Sequence, residues 1–275
     1  MRILLAALAA TLFSASAYAQ DEATSELSEI STAYDARGWE AVGRLNIGWG
    51  GMCSGALIAP DLVLTAAHCA FNSQGKIVEP SEIAFHAGFR NGHAAASRRV
   101  KRVVVHPGYQ FQGTEGVFEV SNDLALFQLQ SEIRLSNIVP FATGARPRKG
   151  DSVGVVSYAH NRASSPSIQE TCHILARQRG ALIMSCDVDF GSSGAPIFDL
   201  SGDYPRIVSV VSAKGEVQGR RVSFGTSLED PLADMMAILR GGGGQIAAPS
   251  ANIIRSDAPR RLAGGGGEGA KFVKP

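Results

Sequence analysis

The sequence predicts an all-β fold of two β-barrels closed by one C-terminal helix, and three observations predict it. From about residue 39 to 230 the chain is built of short apolar or alternating runs separated by Gly, Pro, Asn and Ser, the pattern of many short strands. A Pro- and Gly-rich connector at 143–151 divides those runs into two sets. A single stripe of apolar residues at helical spacing then appears near the end, at Leu232, Met235, Met236 and Leu239.

In chain order, Trp39-Glu40-Ala41-Val42-Gly43-Arg44-Leu45 is expected to start the folded domain. Residues 54–58, 62–66, 100–105 and 124–129 read as strands of a first barrel over about 39–140. Residues 153–157, 173–175, 181–185, 195–198, 207–212 and 222–226 read as strands of a second, over about 150–228. Asp230 is placed as the cap of a helix over 231–240, with Pro231 in its first turn and Gly241 beyond its end. The glycine-rich segment 241–275 is expected to be a flexible tail. No internal repeat is visible in the sequence.

A chain of 275 residues with 45% hydrophobic and 19% charged content can bury a sizeable core. Arg2, an apolar run from Ile3 to Phe13 and the small-residue end Ala17-Tyr18-Ala19 read as an export signal over 1–19, removed before Gln20. That run is too short to cross a bilayer, which takes about 20 residues, so no stable membrane anchor is expected after cleavage. The product would be secreted or periplasmic, with residues 20–38 as a polar leader and a monomer as the expected state. Removing Arg2 leaves 25 basic against 25 acidic residues. That balance gives no electrostatic case for nucleic acid, and the cluster Arg98-Arg99-Val100-Lys101-Arg102 reads as the solvated face of an edge strand. Export permits disulfides, and Cys53, Cys69, Cys172 and Cys186 allow three connectivities. No CxxC or HExxH spacing points to a metal, and no cofactor is expected.

Three short motifs carry chemistry. Gly191-Ser192-Ser193-Gly194-Ala195-Pro196 would hold a serine on a tight turn, Thr65-Ala66-Ala67-His68-Cys69 offers a histidine at the end of an apolar strand, and Asn122-Asp123-Leu124-Ala125-Leu126 offers a half-dry carboxylate. In the order His, Asp, Ser they resemble the chymotrypsin-like (trypsin-like) serine peptidases, in particular bacterial members, whose signatures read roughly TAAHC, NDIAL and GDSGGP. Met52-Cys53-Ser54-Gly55-Ala56-Leu57-Ile58 and Val105-His106-Pro107-Gly108-Tyr109 extend the resemblance, which covers about residues 39–230.

The resemblance implies two Greek-key β-barrels with the active site in the cleft between them, within a peptidase domain over 39–240. It implies His68 as general base, Asp123 as its orienting carboxylate, Ser193 as nucleophile, and the backbone N–H groups of Gly191 and Ser193 as oxyanion hole. Polypeptides would be the substrates. It implies a bridge from Cys53 to Cys69, which leaves Cys172 with Cys186. Ser212 would support Asp123, and Gly215 would lie on the strand whose backbone pairs with substrate. Asp187, six residues before the nucleophile, stands where trypsin-like members carry the acidic base of their primary pocket, implying preference for Arg or Lys. Lys214, Arg220 and Arg221 near the pocket wall would instead suit an acidic side chain. An α/β-hydrolase does not fit, since Ala195 breaks GxSxG and the motif order is wrong. A silent homologue acting as a binding module is the rival reading.

The chain departs from the family where zymogen activation is concerned. Ser192 replaces the aspartate that in zymogen-activated relatives pairs with a newly released N-terminus, and Arg37-Gly38-Trp39-Glu40 lacks the sequence Ile-Val-Gly-Gly. The oxyanion turn is therefore expected to be held by uncharged hydrogen bonds.

Overall fold

In the computed structural model the described residues are 24–48, 50–111, 117–242 and 271–273. The first barrel is made by β2 (Val42–Ile47), β3 (Gly51–Ala59), β4 (Leu62–Thr65), β5 (Ile83–Ala87), β6 (Ala96–Val105) and β7 (Ala125–Leu129), preceded in the chain by β1 (Ser28–Glu29). Its hydrogen-bonded order is β2-β3-β4-β7-β6-β5, closed by β2 against β5. After the short β8 (Ala142–Thr143), the second is made by β9 (Ser152–Ala159), β10 (Arg162–Gln178), β11 (Ala181–Met184), β12 (Pro196–Asp199), β13 (Arg206–Val217) and β14 (Arg220–Ser227). Its order is β9-β10-β11-β14-β13-β12, closed by β12 against β9. Both rings thus repeat one path, first-second-third-sixth-fifth-fourth.

Each strand takes its place because its apolar residues must leave water. β4 is buried along its whole length, while β2 and β5 alternate buried and half-buried positions as a barrel wall requires. Leu45, Leu57, Phe85 and Phe127 share the inner face of the first barrel, with Leu64 and Leu126 buried on its other face; Val155, Leu182, Met184, Ile197 and Val211 belong to the core of the second. Each such side chain contributes about 1.5–3 kcal/mol of burial. Trp39 meets Phe198 edge-on at 5.1 Å between ring centroids and Phe141 at 6.1 Å, tying the start of the first barrel to β12 of the second.

Several expectations are corrected. The chain is already folded before Trp39: the Ser25 N–H bonds the Thr171 carbonyl, β1 pairs with β10 at Ser167 and Ile168, and Ile30 is buried. This segment adds backbone to an existing sheet edge, so it needs no periodicity of its own. The basic cluster lies on β6, which is paired on both sides and is no edge strand. Its charges point outward, and Arg99 and Arg102 bond the Ser81 carbonyl and Gln128 Oε1. The C-terminal helix, α2 (Glu229–Arg240), starts after Leu228, which makes no side-chain cap, so Asp230 lies inside the first turn. A short helix not expected from sequence, α1 (Val117–Asn122), leads into Asp123. Part of the tail is ordered, with β15 (Lys271–Val273) paired to β13. The export segment 1–19 and tail residues 243–270 lie outside the described residues. No helix among the described residues is long and apolar enough to cross a membrane.

Candidate active site

The histidine, the carboxylate and its supporting serine come together between the barrels. His68 sits in a single 3-10 turn, Ala67–Ala70, where β4 ends, and Cys69 in that turn is bonded to Cys53 on β3. Asp123 lies between α1 and β7 and is buried. Its Oδ1 accepts the His68 backbone N–H at 2.9 Å, and its Oδ2 accepts from His68 Nδ1 at 2.7 Å and from the Ser212 hydroxyl at 2.5 Å. Ser212 comes from β13, so the second barrel completes a site begun by the first.

Burial by itself would push the Asp123 carboxyl up, but the His68 charge, the ring and backbone N–H groups of His68 and the Ser212 hydroxyl outweigh it and hold the group below its ordinary value. An ionised carboxylate only accepts, so Nδ1 of His68 donates to it, and in the neutral ring that leaves the lone pair on Nε2. Among the described residues Nε2 is buried and has no hydrogen-bond partner. A neutral imidazole so placed can act as a base.

Ser193 stands on the turn between β11 and β12, buried, with its carbonyl accepting from the Ser54 N–H at 2.8 Å. The turn depends on glycine twice. Gly191 has φ +96°, and a Cβ there would run into the Met52 side chain and lie 3.1 Å from Ala159 Cα. Gly194 has φ +77°, and a Cβ there would overlap Thr65 Oγ1 and the Ser54 carbonyl. The turn that carries Ser193 is therefore pressed against β3 and the end of β4, three residues from His68.

Two serines hold this turn: Ser54, which the sequence did not single out, and Ser192, which it marked as a departure at this turn. Ser54 on β3 is buried; its hydroxyl donates to the Gly191 carbonyl at 3.0 Å and accepts the Tyr158 N–H at 3.0 Å. Ser192, also buried, donates to the Tyr158 carbonyl at 3.1 Å and accepts from the Asp189 N–H at 3.2 Å and from an Arg162 guanidinium nitrogen at 3.3 Å. The expectation of uncharged bonds alone is thus corrected: a cation takes part. Arg162 also donates to the Ser157 carbonyl and hydroxyl at 2.5 and 2.9 Å. Burial lowers its affinity for its proton, and the nearby carboxylates of Asp187 and Asp189 oppose that. The sequence offered no signal for Arg162, which meets Ser192 only through the closure of the second barrel.

Asp187 and Gly215 do not join the His68 cluster. They line a neighbouring cavity of about 640 Å³, together with Asp189, Glu216 and two of the basic residues expected near the pocket wall, Lys214 and Arg221. Asp187 is exposed at its wall rather than sunk at its base, and its backbone N–H bonds Gln169 Oε1 at 2.7 Å. Asp189 is taken up by Lys214, whose Nζ lies 2.5 Å from Oδ1 and 3.9 Å from the centre of the Phe190 ring. That hydrogen bond holds the Asp189 carboxyl below its ordinary value. Cys172 is bonded to Cys186 beside this wall. Cys53, Cys69 and His68 lie close enough to share an ion, but the two sulfurs are bonded to each other and offer no thiolate.

Two closed six-stranded barrels with this cluster between them define the chymotrypsin-like class of fold. A family model described as trypsin matches residues 31–232, well over half of the chain, and the chain belongs to that family. It is 29% identical over 205 residues to transmembrane protease serine 5 of Homo sapiens, a match covering 63% of this chain and 42% of that protein. It is 33% identical over 95 residues to serine protease SSP1 of Scolopendra subspinipes, covering 34% of this chain and 31% of that one. The chain thus spans less than half the length of these relatives. A solved structure of a Glu endopeptidase in complex with MPD superposes with a TM-score of 0.65 at 17% identity, covering 78% of this chain and 96% of that one, a likeness of fold.

Proposed function

We propose that this chain is an exported serine endopeptidase that hydrolyses polypeptides through an acyl-enzyme formed on Ser193. The observation that carries the reading is the hydrogen-bonded line Ser212–Asp123–His68, which orients the imidazole through Nδ1 and leaves Nε2 buried without a partner among the described residues. In the reaction Nε2 takes the Ser193 hydroxyl proton as Oγ attacks the scissile carbonyl, and returns it to the leaving amine. A water then repeats the sequence against the ester. Asp123 stabilises the imidazolium without taking the proton. The Gly191 and Ser193 N–H groups receive the developing oxyanion; one such donor is typically worth about 2.7–4 kcal/mol. The signal at 1–19 and the two disulfides fit a secreted or periplasmic site of action. In the neighbouring cavity a basic substrate side chain would meet Asp187 and Glu216, while an acidic one would meet Arg221, since Asp189 and Lys214 are already paired with each other.

The test is labelling of the purified chain by a serine-directed fluorophosphonate, with peptide turnover by the single variants Ser193→Ala, His68→Ala and Asp123→Asn. Rapid labelling confined to Ser193 is expected. The three losses should not add, because the side chains act as one proton-transfer unit. A Ser193→Ala protein that still turns over peptides at the parent rate would end the reading, and a well-folded parent that is never labelled would favour the silent binding module.

A further inference from the structure

β13 is paired on its two edges over different lengths. One edge runs against β14 from Ser209 to Val217. The other pairs with β12 only as far as Val210, after which the nucleophile turn takes over: the Gly194 N–H bonds the Val211 carbonyl at 2.8 Å, and the Val211 N–H bonds the Ala195 carbonyl at 2.9 Å. Among the described residues, no strand of the barrel pairs with this edge past Val211. The strand nevertheless runs on through Ser212, which bonds Asp123, and along the wall of the 640 Å³ cavity at 214–216. Bare backbone beside a nucleophile is a template for an extended polypeptide, which can add to it as a strand.

That template is occupied by the chain's own tail. Val273 pairs with Lys214, Phe272 with Gly215 and Lys271 with Glu216, antiparallel. The direction matters, because as the tail advances from 271 to 273 its partners fall from 216 to 214, so it travels toward Ser212 and Asp123. A substrate strand using this edge would need the same backbone groups. The 28 residues from 243 to 270 can span up to about 90–100 Å when extended, ample for the return from α2. A tethered segment competes at an effective concentration on the order of millimolar.

We propose that residues 271–273 are an internal competitor of substrate, docked on the open edge of β13 and displaced when a polypeptide binds. The inference rests on the peptidase reading for what is inhibited, and on the strand register for the docking itself. Because the contact is between backbones, proline in the tail should break it where other substitutions leave it.

The experiment compares the 20–275 chain, the same chain ending at 270, and a Phe272→Pro, Val273→Pro double variant. Two readouts are taken: amide hydrogen exchange at 214–216, and kcat and KM for a short peptide substrate. Truncation and proline should both speed exchange at 214–216 and lower KM about two- to tenfold with kcat unchanged. The synthetic peptide Lys-Phe-Val-Lys-Pro should inhibit the truncated chain competitively. Unchanged exchange overturns the docking, and faster exchange with unchanged KM overturns the competition. A chain that neither turns over peptides nor accepts the fluorophosphonate removes the peptidase reading, while the exchange comparison still decides whether the tail is docked.

Discussion

Removing each disulfide in turn separates what the bridges do for stability from what they do for the site. Cys53 and Cys69 close 16 residues and Cys172 and Cys186 close 14. The chain-entropy relation makes each worth about 3 kcal/mol, because the logarithm barely distinguishes loops so alike. All four cysteines are buried, so Cys→Ala pairs leave similar small voids. For a domain of this size that corresponds to a fall in Tm of about 6–12 °C for either double variant. The functional consequences should nevertheless diverge. The first bridge anchors the turn that carries His68, and its loss should lower kcat. The second ends at Cys186, next to Asp187 on the cavity wall, and its loss should raise KM. Calorimetry gives the first comparison and steady-state kinetics well below both melting points the second. Tm losses that differ severalfold, or two variants that change the same kinetic parameter alike, would refute the reasoning.

Two further outcomes follow from the geometry. Gly194→Ala should yield no active protein, because its Cβ would overlap Thr65 Oγ1 and the Ser54 carbonyl, whereas Gly219→Ala, at φ +75° with nothing within 4 Å, should lose only about 1–2 kcal/mol in denaturant unfolding and stay active. Asp123 should contribute to acid unfolding with a definite sign: its folded pKa lies below the ordinary 3.8, so its stabilisation is fully present above that value and lost as pH falls from there through the folded pKa. Within that window stability of Asp123→Asn should depend less steeply on pH than the parent by up to about 1.4 kcal/mol per unit, measured by urea unfolding; equal slopes would show that the carboxyl is not held low.

What could be read from the sequence follows from which forces leave a local trace. The runs at 62–66, 124–129 and 207–212 were legible because a strand packed in a barrel must be apolar, and His68, Asp123 and Ser193 because each sits in a turn or strand end of constrained composition. Residues 24–30 and 271–273 were not, since segments this short pair with a sheet without showing a periodicity, and the side-chain anchors of the first, Ser25 Oγ on the Thr171 N–H and the buried Ile30, are too few to mark a strand. The shared strand path of the two barrels was equally hidden, because it constrains only alternation and closure and not the identity of any residue. Asp187 could be placed near the cavity by its distance from Ser193, but its exposure there depends on the path of the loop that leaves the bridged Cys186.

The turn that presents Ser193 shows how a departure from a family pattern is made good elsewhere. Without a carboxylate at 192, a charge pair between that side chain and a released amino terminus has no acceptor. The Ser192 hydroxyl instead meets the Tyr158 carbonyl, the Asp189 N–H and Arg162, while Ser54 grips the same turn from the first barrel. Arg162 is itself held by Ser157 and balanced by the carboxylates of Asp187 and Asp189. None of these contacts involves a residue before Ser54, so nothing in the network waits on a cut near Arg37. The ordering of this turn is completed by closure of the second barrel and its docking on β3, so on the proposed reading the 20–275 chain, shown uncut by intact mass, should turn over peptides; activity that appears only after cleavage near Arg37 would refute this.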